Sequence, residues 1–389
     1  MTAPSSTRAF ILGSKSPRQL GEKTIQYYSA SVQDVPLPKG EVVVKVLCAG
    51  FNHREAKGRI SYGSVKGFIP GLKKERQWVL MHRRYKLNVY PTNRNRGFRS
   101  RTPTQQTSSR RAYGRMGEFG IVGGVSHPAY GTFSEHVALD AKSVILAPEH
   151  MSDEEAGAWA LGAVTAWRAV VTKAQVEKGH NVLIVRARLF SSYLSSLIVL
   201  VYGMKQTGIG GGVAMIALRF AVALGANVFV SSSNKQTIDW AIEAGAKGGV
   251  NYRDESWPRD LAALLKEHNI TGIDAIIDSA GGDLLGKTGK SLNPGAKVVC
   301  YGMTASPSIP LAMPAVLKNV DLLGSTMGST AELQAATDFA AKHKLKPSVS
   351  VVLEGLENAE RGFELIEKGR ESGKIVVRVG TRSGSESKL

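Results

Sequence analysis

Between Asn181 and Tyr301, short apolar runs alternate with helical stretches, and this alternation leaves few folds open. Asn181-Val-Leu-Ile184, Asn227-Val-Phe-Val230, Asp274-Ala-Ile-Ile277 and Lys297-Val-Val-Cys-Tyr301 read as buried strands. Val213 to Leu224 and Thr237 to Ala244 read as helices between them. Strands this short and apolar, separated by helices, pair in parallel and are covered on both faces. Upstream, Ser152-Asp-Glu-Glu155 is a capping box that opens a helix running through Ala156 to Trp167. With 389 residues the chain is too long for one ordinary core, so two domains are expected. Residues 151–315 are the nucleotide-binding candidate.

The sharpest local motif lies in that block, at Thr207-Gly-Ile-Gly-Gly-Gly-Val-Ala214. Glycines let backbone approach a diphosphate closely, and the following helix offers unpaired N–H groups. Such a loop should follow its strand directly, yet Val185 to Gln206 stand between them. The second strand runs into Val230-Ser-Ser-Ser-Asn-Lys235. An NAD site usually places a carboxylate there for the ribose 2′-hydroxyl. Hydroxyls and a cation stand there instead, which favours NADPH, whose 2′-phosphate Lys235 would attract. The other reading of Lys235 is a capping or solvated side chain.

The formal charge of +18 invites a nucleic-acid reading. Its distribution argues against one. Thirteen Lys and Arg residues face a single acid, Glu75, within residues 73–117, and Arg186, Arg188 and Lys205 fall within 185–206. The remaining chain is only mildly basic. Residues 73–117 keep no period of 2 or 3.6, and loops so long are rare inside a domain. They also lack the aromatic interleaving of single-strand binders, with Tyr85, Tyr90, Phe98 and Tyr113 following Trp78. RNA binding through 73–117 therefore stands as a minor alternative.

Both segments read as foreign to the coding sequence. Removing Val185 to Gln206 restores strand, loop and helix; every valine codon begins GT and one glutamine codon is CAG, so an in-phase retained intron fits. A genuine insertion is the alternative. Trp78-Val-Leu-Met-His82 admits a coding whose shifted frame reads Gly-Ala-Asp-Ala, so 73–117 is expected to be out of frame; a surface insertion is the alternative. On these readings the chain as written is a damaged enzyme or a non-catalytic relic.

Cys48-Ala-Gly-Phe-Asn-His-Arg-Glu55, Gly131-Thr-Phe-Ser-Glu135, Thr165-Ala-Trp167, the Gly208–Ala214 loop, Asn251-Tyr252, Asp278-Ser-Ala-Gly-Gly282 and Gly373-Lys374 occur in a telling order. In that order the chain resembles the medium-chain dehydrogenase/reductase superfamily. It looks most like the zinc-independent, quinone-oxidoreductase-like branch, related to the zinc-type alcohol dehydrogenase-like proteins. The resemblance implies an α/β fold: a Rossmann-type doubly wound parallel sheet inserted in a split, mostly β (GroES-like) catalytic domain. Residues 1–150 and 316–380 would form that catalytic domain, with a polar tail at 381–389. Gly208, Gly211 and Ala214 resemble the diphosphate loop. Ser233 and Lys235 would face the 2′-phosphate, and Tyr252 matches a tyrosine near the adenosine phosphate. Tyr301, Gly302 and Met303 would face the cofactor. Asn52 would sit by the nicotinamide, where the zinc-dependent branch has a cysteine, and would donate to a substrate oxygen. The implied reaction is hydride transfer from NADPH to an enone, quinone or enoyl-type acceptor, with no metal, in a homodimer.

Two cysteines, Cys48 and Cys300, are too few for a disulfide framework or a four-thiolate zinc site. The N-terminal residues lack the apolar run of a secretory signal, and Leu189 to Met204 is too short for a membrane span. The chain ends in Ser387-Lys388-Leu389, a receptor-read peroxisomal address. Import into the peroxisomal matrix through that receptor is the expectation, with the cytoplasm as alternative.

Overall fold

A computed structural model describes residues 4–20, 23–36, 42–52, 60–61, 76–77, 80–82, 120–121, 132–139, 144–185, 212–304, 306–368 and 371–380. Gly208 and Gly211, most of the two basic segments and the C-terminal tail lie outside these residues.

The central element is a parallel sheet of six strands. They are β11 (Asn181–Val185), β12 (Asn227–Ser232), β13 (Gly248–Asn251), β14 (Ile273–Asp278), β15 (Leu292–Cys300) and β16 (Asp321–Gly324). Their order across the sheet is β13-β12-β11-β14-β15-β16. Numbered from β11, this is the 3-2-1-4-5-6 order of a doubly wound dinucleotide-binding sheet, with its switch point between β11 and β14. Alternation along β11 explains the two covered faces. Val182 and Ile184 enter one core with Trp159, Phe220 and Val230. Leu183 and Val185 enter the other with Phe229, Leu261 and Ile276. Helices α1 (Asp153–Trp167), α2 (Gly212–Ala223), α3 (Lys235–Glu243) and α4 (Trp257–Glu267) supply those layers with α5 (Leu284–Thr288), α6 (Met313–Leu317) and α7 (Thr330–His343).

Ser152 caps α1 as the sequence expects. Its hydroxyl accepts from Glu155 N, and Ser152 N donates back to the Glu155 carboxylate at 2.7 Å. The helix does not stop at Trp167 but widens into a π-helical turn over Arg168–Lys173. Val185, expected to open the interruption, is instead the last residue of β11. It pairs with Asp278 and is buried, which an apolar β-branched side chain favours in a central strand.

The flanking segments are mostly β. Strands β1 (Ser6–Leu20) and β2 (Lys23–Pro36) form a long antiparallel hairpin, and β3 (Val42–Lys45) pairs antiparallel with β9 (His136–Leu139). β4 (Cys48–Gly50) pairs antiparallel with β18 (Lys374–Arg378), itself parallel to β17 (Val349–Glu354). Segments before and after the six-stranded sheet thus share one small sheet. Phe51 packs there against Phe133 and Phe363 at ring distances of 4.7 and 5.1 Å, the last from α8 (Ala359–Lys368).

Within residues 73–117 two short strands are described: β6 (Arg76–Gln77) pairs with β8 (Gly120–Ile121), and β7 (Leu80–His82) with β10 (Val144–Leu146), both in parallel. Backbone pairing tolerates many side chains, so a short strand forms without a clear hydrophobic period. The two-residue β5 (Ile60–Ser61) pairs with β2.

The six-stranded sheet and the β segments meet where two glycines remove side chains. A Cβ on Gly50 would lie 2.7 Å from Gly157 O, and one on Gly157 2.9 Å from the Cys48 side chain. This lets β4 lie directly on α1 and brings Phe51 and Asn52 to the carboxyl edge of the sheet.

Candidate active site

A cleft of about 250 Å³ opens at the carboxyl ends of the central strands. One wall is Asn52, Gly373 and Lys374 from the β segments. Ser279 follows β14, and Tyr301 and Gly302 follow β15. Gly212 to Ala214 open α2, while Thr165, Thr326 and Met327 complete the far wall. In open parallel sheets ligands bind at the carboxyl ends beside the switch point, and this cleft lies there.

Lys374 is the strongest electrostatic feature of the cleft, and the motif reading gave it no role. It is 7% exposed. Its ammonium donates to Phe51 O at 2.6 Å and to Asn52 Oδ1. An ammonium has no acceptor, so this bond fixes which edge of the Asn52 amide faces it. The Nδ2 edge is turned away from the ammonium and donates to Gly50 O at 3.3 Å. The Lys374 stem lies across the first residue of α2, where a Cβ on Gly212 would come within 2.4 Å of Cδ. Any side chain at 212 would push the cation off that helix end. Only the pairing of β18 with β4 brings Lys374 to a residue 322 positions away.

The other expected cofactor residues divide into two groups. Ala214 is buried in the first turn of α2 and lines the cleft, as do Tyr301 and Gly302. Met303 does not. The chain turns back after Gly302, Thr304 N donating to Ser279 O at 3.0 Å, so Met303 packs beside Gly281 with 46% exposure. At the far end of the sheet, Tyr252 donates to Ser233 Oγ at 3.1 Å, joining the ends of β12 and β13. Asn234 caps α3 there, its side chain accepting from Gln236 N. Lys235 is the first residue of that helix and pairs with Asp239 one turn on at 2.8 Å, with its side chain 85% exposed. An exposed pair of this kind contributes little.

Asp278 closes β14. Its carboxylate accepts from Ala280 N and Gly281 N, both at 2.9 Å, and bends the chain so that Ser279 faces the cleft. Burial pushes its pKa up to about 6 against the lowering effect of those bonds. Burial likewise raises the Cys300 thiol to about 11 and the Cys48 thiol to about 12. Both cysteines are therefore thiols at neutral pH rather than nucleophilic thiolates.

The polar lining is one amide, several hydroxyls, one carboxylate (Glu371) and the Lys374 ammonium. Among the described residues no three His, Cys, Asp or Glu side chains converge as a metal site. Among the described residues this donor set does not fit a zinc ion: it offers one carboxylate and no histidine or cysteine, and Lys374 brings a positive charge to the lining. It does fit an anionic dinucleotide: a buried ammonium beside a helix N-terminus suits a diphosphate, and the end of β12 carries hydroxyls.

A family model described as zinc-binding dehydrogenase matches residues 212–342. The zinc-type alcohol dehydrogenase-like protein YogA of Leptosphaeria maculans is 38% identical over 268 residues, 67% of this chain and 68% of that protein. An alcohol dehydrogenase of Geobacillus stearothermophilus is 28% identical over 252 residues, 64% of this chain and 65% of that protein. Among solved structures, an NAD-dependent alcohol dehydrogenase shares the fold with a TM-score of 0.69 and 25% identity, covering 96% of this chain and 100% of that one. The aligned part of the chain spans about two-thirds of the two curated relatives.

Proposed function

Because this chain belongs to the medium-chain dehydrogenase/reductase superfamily, we propose that it is an NADPH-dependent reductase of enone, quinone or enoyl-type acceptors that works without zinc. The observation that carries the reading is the Lys374 ammonium, buried between the first turn of α2 and Asn52. It supplies a positive charge for the cofactor diphosphate and at the same time orients the amide beside the reacting groups.

The bound nicotinamide would supply a hydride. The remaining tasks belong to the chain. Gly212 to Ala214 and Lys374 would hold the diphosphate. Ser233 and Tyr252 would hold the phosphorylated ribose end. Tyr301 and Gly302 would form the floor under the transferring ring, and Thr165 and Thr326 its side wall. Asn52 would present its Nδ2 edge to the acceptor oxygen, on which negative charge develops. The proton that balances the reduction would come from solvent through the cleft mouth.

NADPH is favoured over NADH by the end of β12. Ser231 and Ser232 are buried there, and the first acid that follows, Asp239, is already engaged with Lys235. Placing a carboxylate at this point should reverse the preference. Ser233→Asp is expected to weaken NADPH about thirty-fold, about 2 kcal/mol of like-charge repulsion, while NADH stays within about three-fold. Parallel fluorescence titrations with the two cofactors check this. An equal effect on both would place the 2′-phosphate elsewhere.

A further inference from the structure

Thr326 and Met327 line the cleft in a connection between β16 and α7 that regular pairing does not hold. Met327 has a φ of +48°, a left-handed conformation that an unbranched non-glycine residue adopts only where its surroundings fix it. A buried ion pair lies one layer behind the wall. Arg168 Nε lies 3.0 Å from both carboxylate oxygens of Glu332, Nη2 bonds the same carboxylate, and Nη1 donates to Thr326 O at 3.1 Å. The side chains are 8% and 14% exposed.

Glu332 is held from every side. It closes the capping box of α7, accepting from Ser329 N at 2.6 Å, and it accepts from Thr172 Oγ1 at 2.8 Å. Burial alone would raise its pKa; the bonds from Arg168, Ser329 and Thr172 outweigh burial and hold it below the ordinary glutamate value. Both Arg168 and Thr172 reach it from the π-helical turn. Positions 168 and 172 are four residues apart, about one helical turn, so both side chains lie on the side that faces Glu332. Thr165, three residues before Arg168, completes the arrangement from inside the cleft, its hydroxyl 3.5 Å from Met327 Sδ.

We infer that Arg168 and Glu332 are positioning residues that set the Thr326–Met327 wall, and through it the seat of the nicotinamide ring rather than the adenosine end of the cofactor. The inference rests on the dinucleotide reading above and deepens it. Nothing in the pair touches the cleft itself, so its removal should loosen one end of the site and spare the other.

The test uses the full chain and two probes, NADPH and 2′,5′-ADP, which lacks the nicotinamide. Arg168→Met strands a buried carboxylate, so the double variant R168M/E332Q is measured beside it. In both, 2′,5′-ADP affinity is expected to stay within about three-fold, because that end is remote from the pair. The fluorescence enhancement of bound NADPH, which reports the surroundings of the reduced ring, is expected to fall at least about two-fold as the wall loosens. An undiminished enhancement in the double variant overturns the inference. A parallel loss of 2′,5′-ADP affinity also overturns it, since that marks a general structural role. If neither the full chain nor the chain joined at Ile184 and Thr207 binds either probe before any substitution, the functional reading itself is overturned, and this inference with it.

Discussion

Replacing Lys374 by methionine is expected to raise the dissociation constants of both NADPH and NADH about 100-fold. Methionine keeps most of the apolar stem that lies across Gly212, so packing changes little. The charge is what is lost. A buried charge-assisted contact to a diphosphate is worth about 2–3 kcal/mol, and each 1.4 kcal/mol is about a factor of ten. Asn52 loses its orienting donor in the same step, because the bond to its Oδ1 disappears. Turnover at saturating cofactor should therefore also drop. The two cofactors share the diphosphate, so both must weaken alike, unlike the selective effect of Ser233→Asp. Fluorescence titration, with thermal unfolding followed in parallel, separates loss of the site from loss of the fold. Cofactor affinity unchanged in a folded variant would remove Lys374 from the site.

Removing Val185 to Gln206, so that Ile184 joins Thr207, is expected to tighten NADPH binding about 100-fold relative to the full chain. The expectation rests on chain length. The twenty-one residues from Arg186 to Gln206 between β11 and its diphosphate loop add a closure cost of about 3 kcal/mol if the loop must be ordered on binding. In the shortened chain Thr207 takes the place of Val185 beside Asp278, and the glycines follow the strand directly. Equal affinity in both chains would mean that the extra residues are harmless and belong to the protein.

Much of the architecture is readable from local signals. The capping box at Ser152 and Glu155 and the apolar runs of β11, β12, β14 and β15 declare themselves, because burial on both faces needs unbroken hydrophobic strands. β13 and β16 do not. Gly248-Gly-Val-Asn251 holds three residues of poor strand propensity, and Asp321-Leu-Leu-Gly324 has only two apolar positions. Neighbouring strands supply what their own sequences lack. The π-helical turn hides inside an ordinary helical pattern, and the partner of its Arg168, the carboxylate of Glu332, lies 164 residues away.

The site divides the same way. Ala214, Tyr301 and Gly302 stand next to recognisable strand or helix ends, so their place follows from local order. Met303 is misplaced because the turn into Thr304 is set by Ser279 O, a long-range acceptor. Lys235 shows a signal that was available, since an acid four residues on is a standard helical partner. Lys374 and Arg168 had no local signal for their roles. Their partners arrive only when β18 pairs with β4 and α7 docks beside α1.

The central claim is that this cleft holds a phosphorylated nicotinamide dinucleotide. Its most direct test is the titration of NADPH and NADH against the chain joined at Ile184 and Thr207. The account predicts saturable NADPH binding with NADH weaker by at least about ten-fold, some 1.4 kcal/mol for the 2′-phosphate. If neither cofactor binds to that folded chain, the account is wrong.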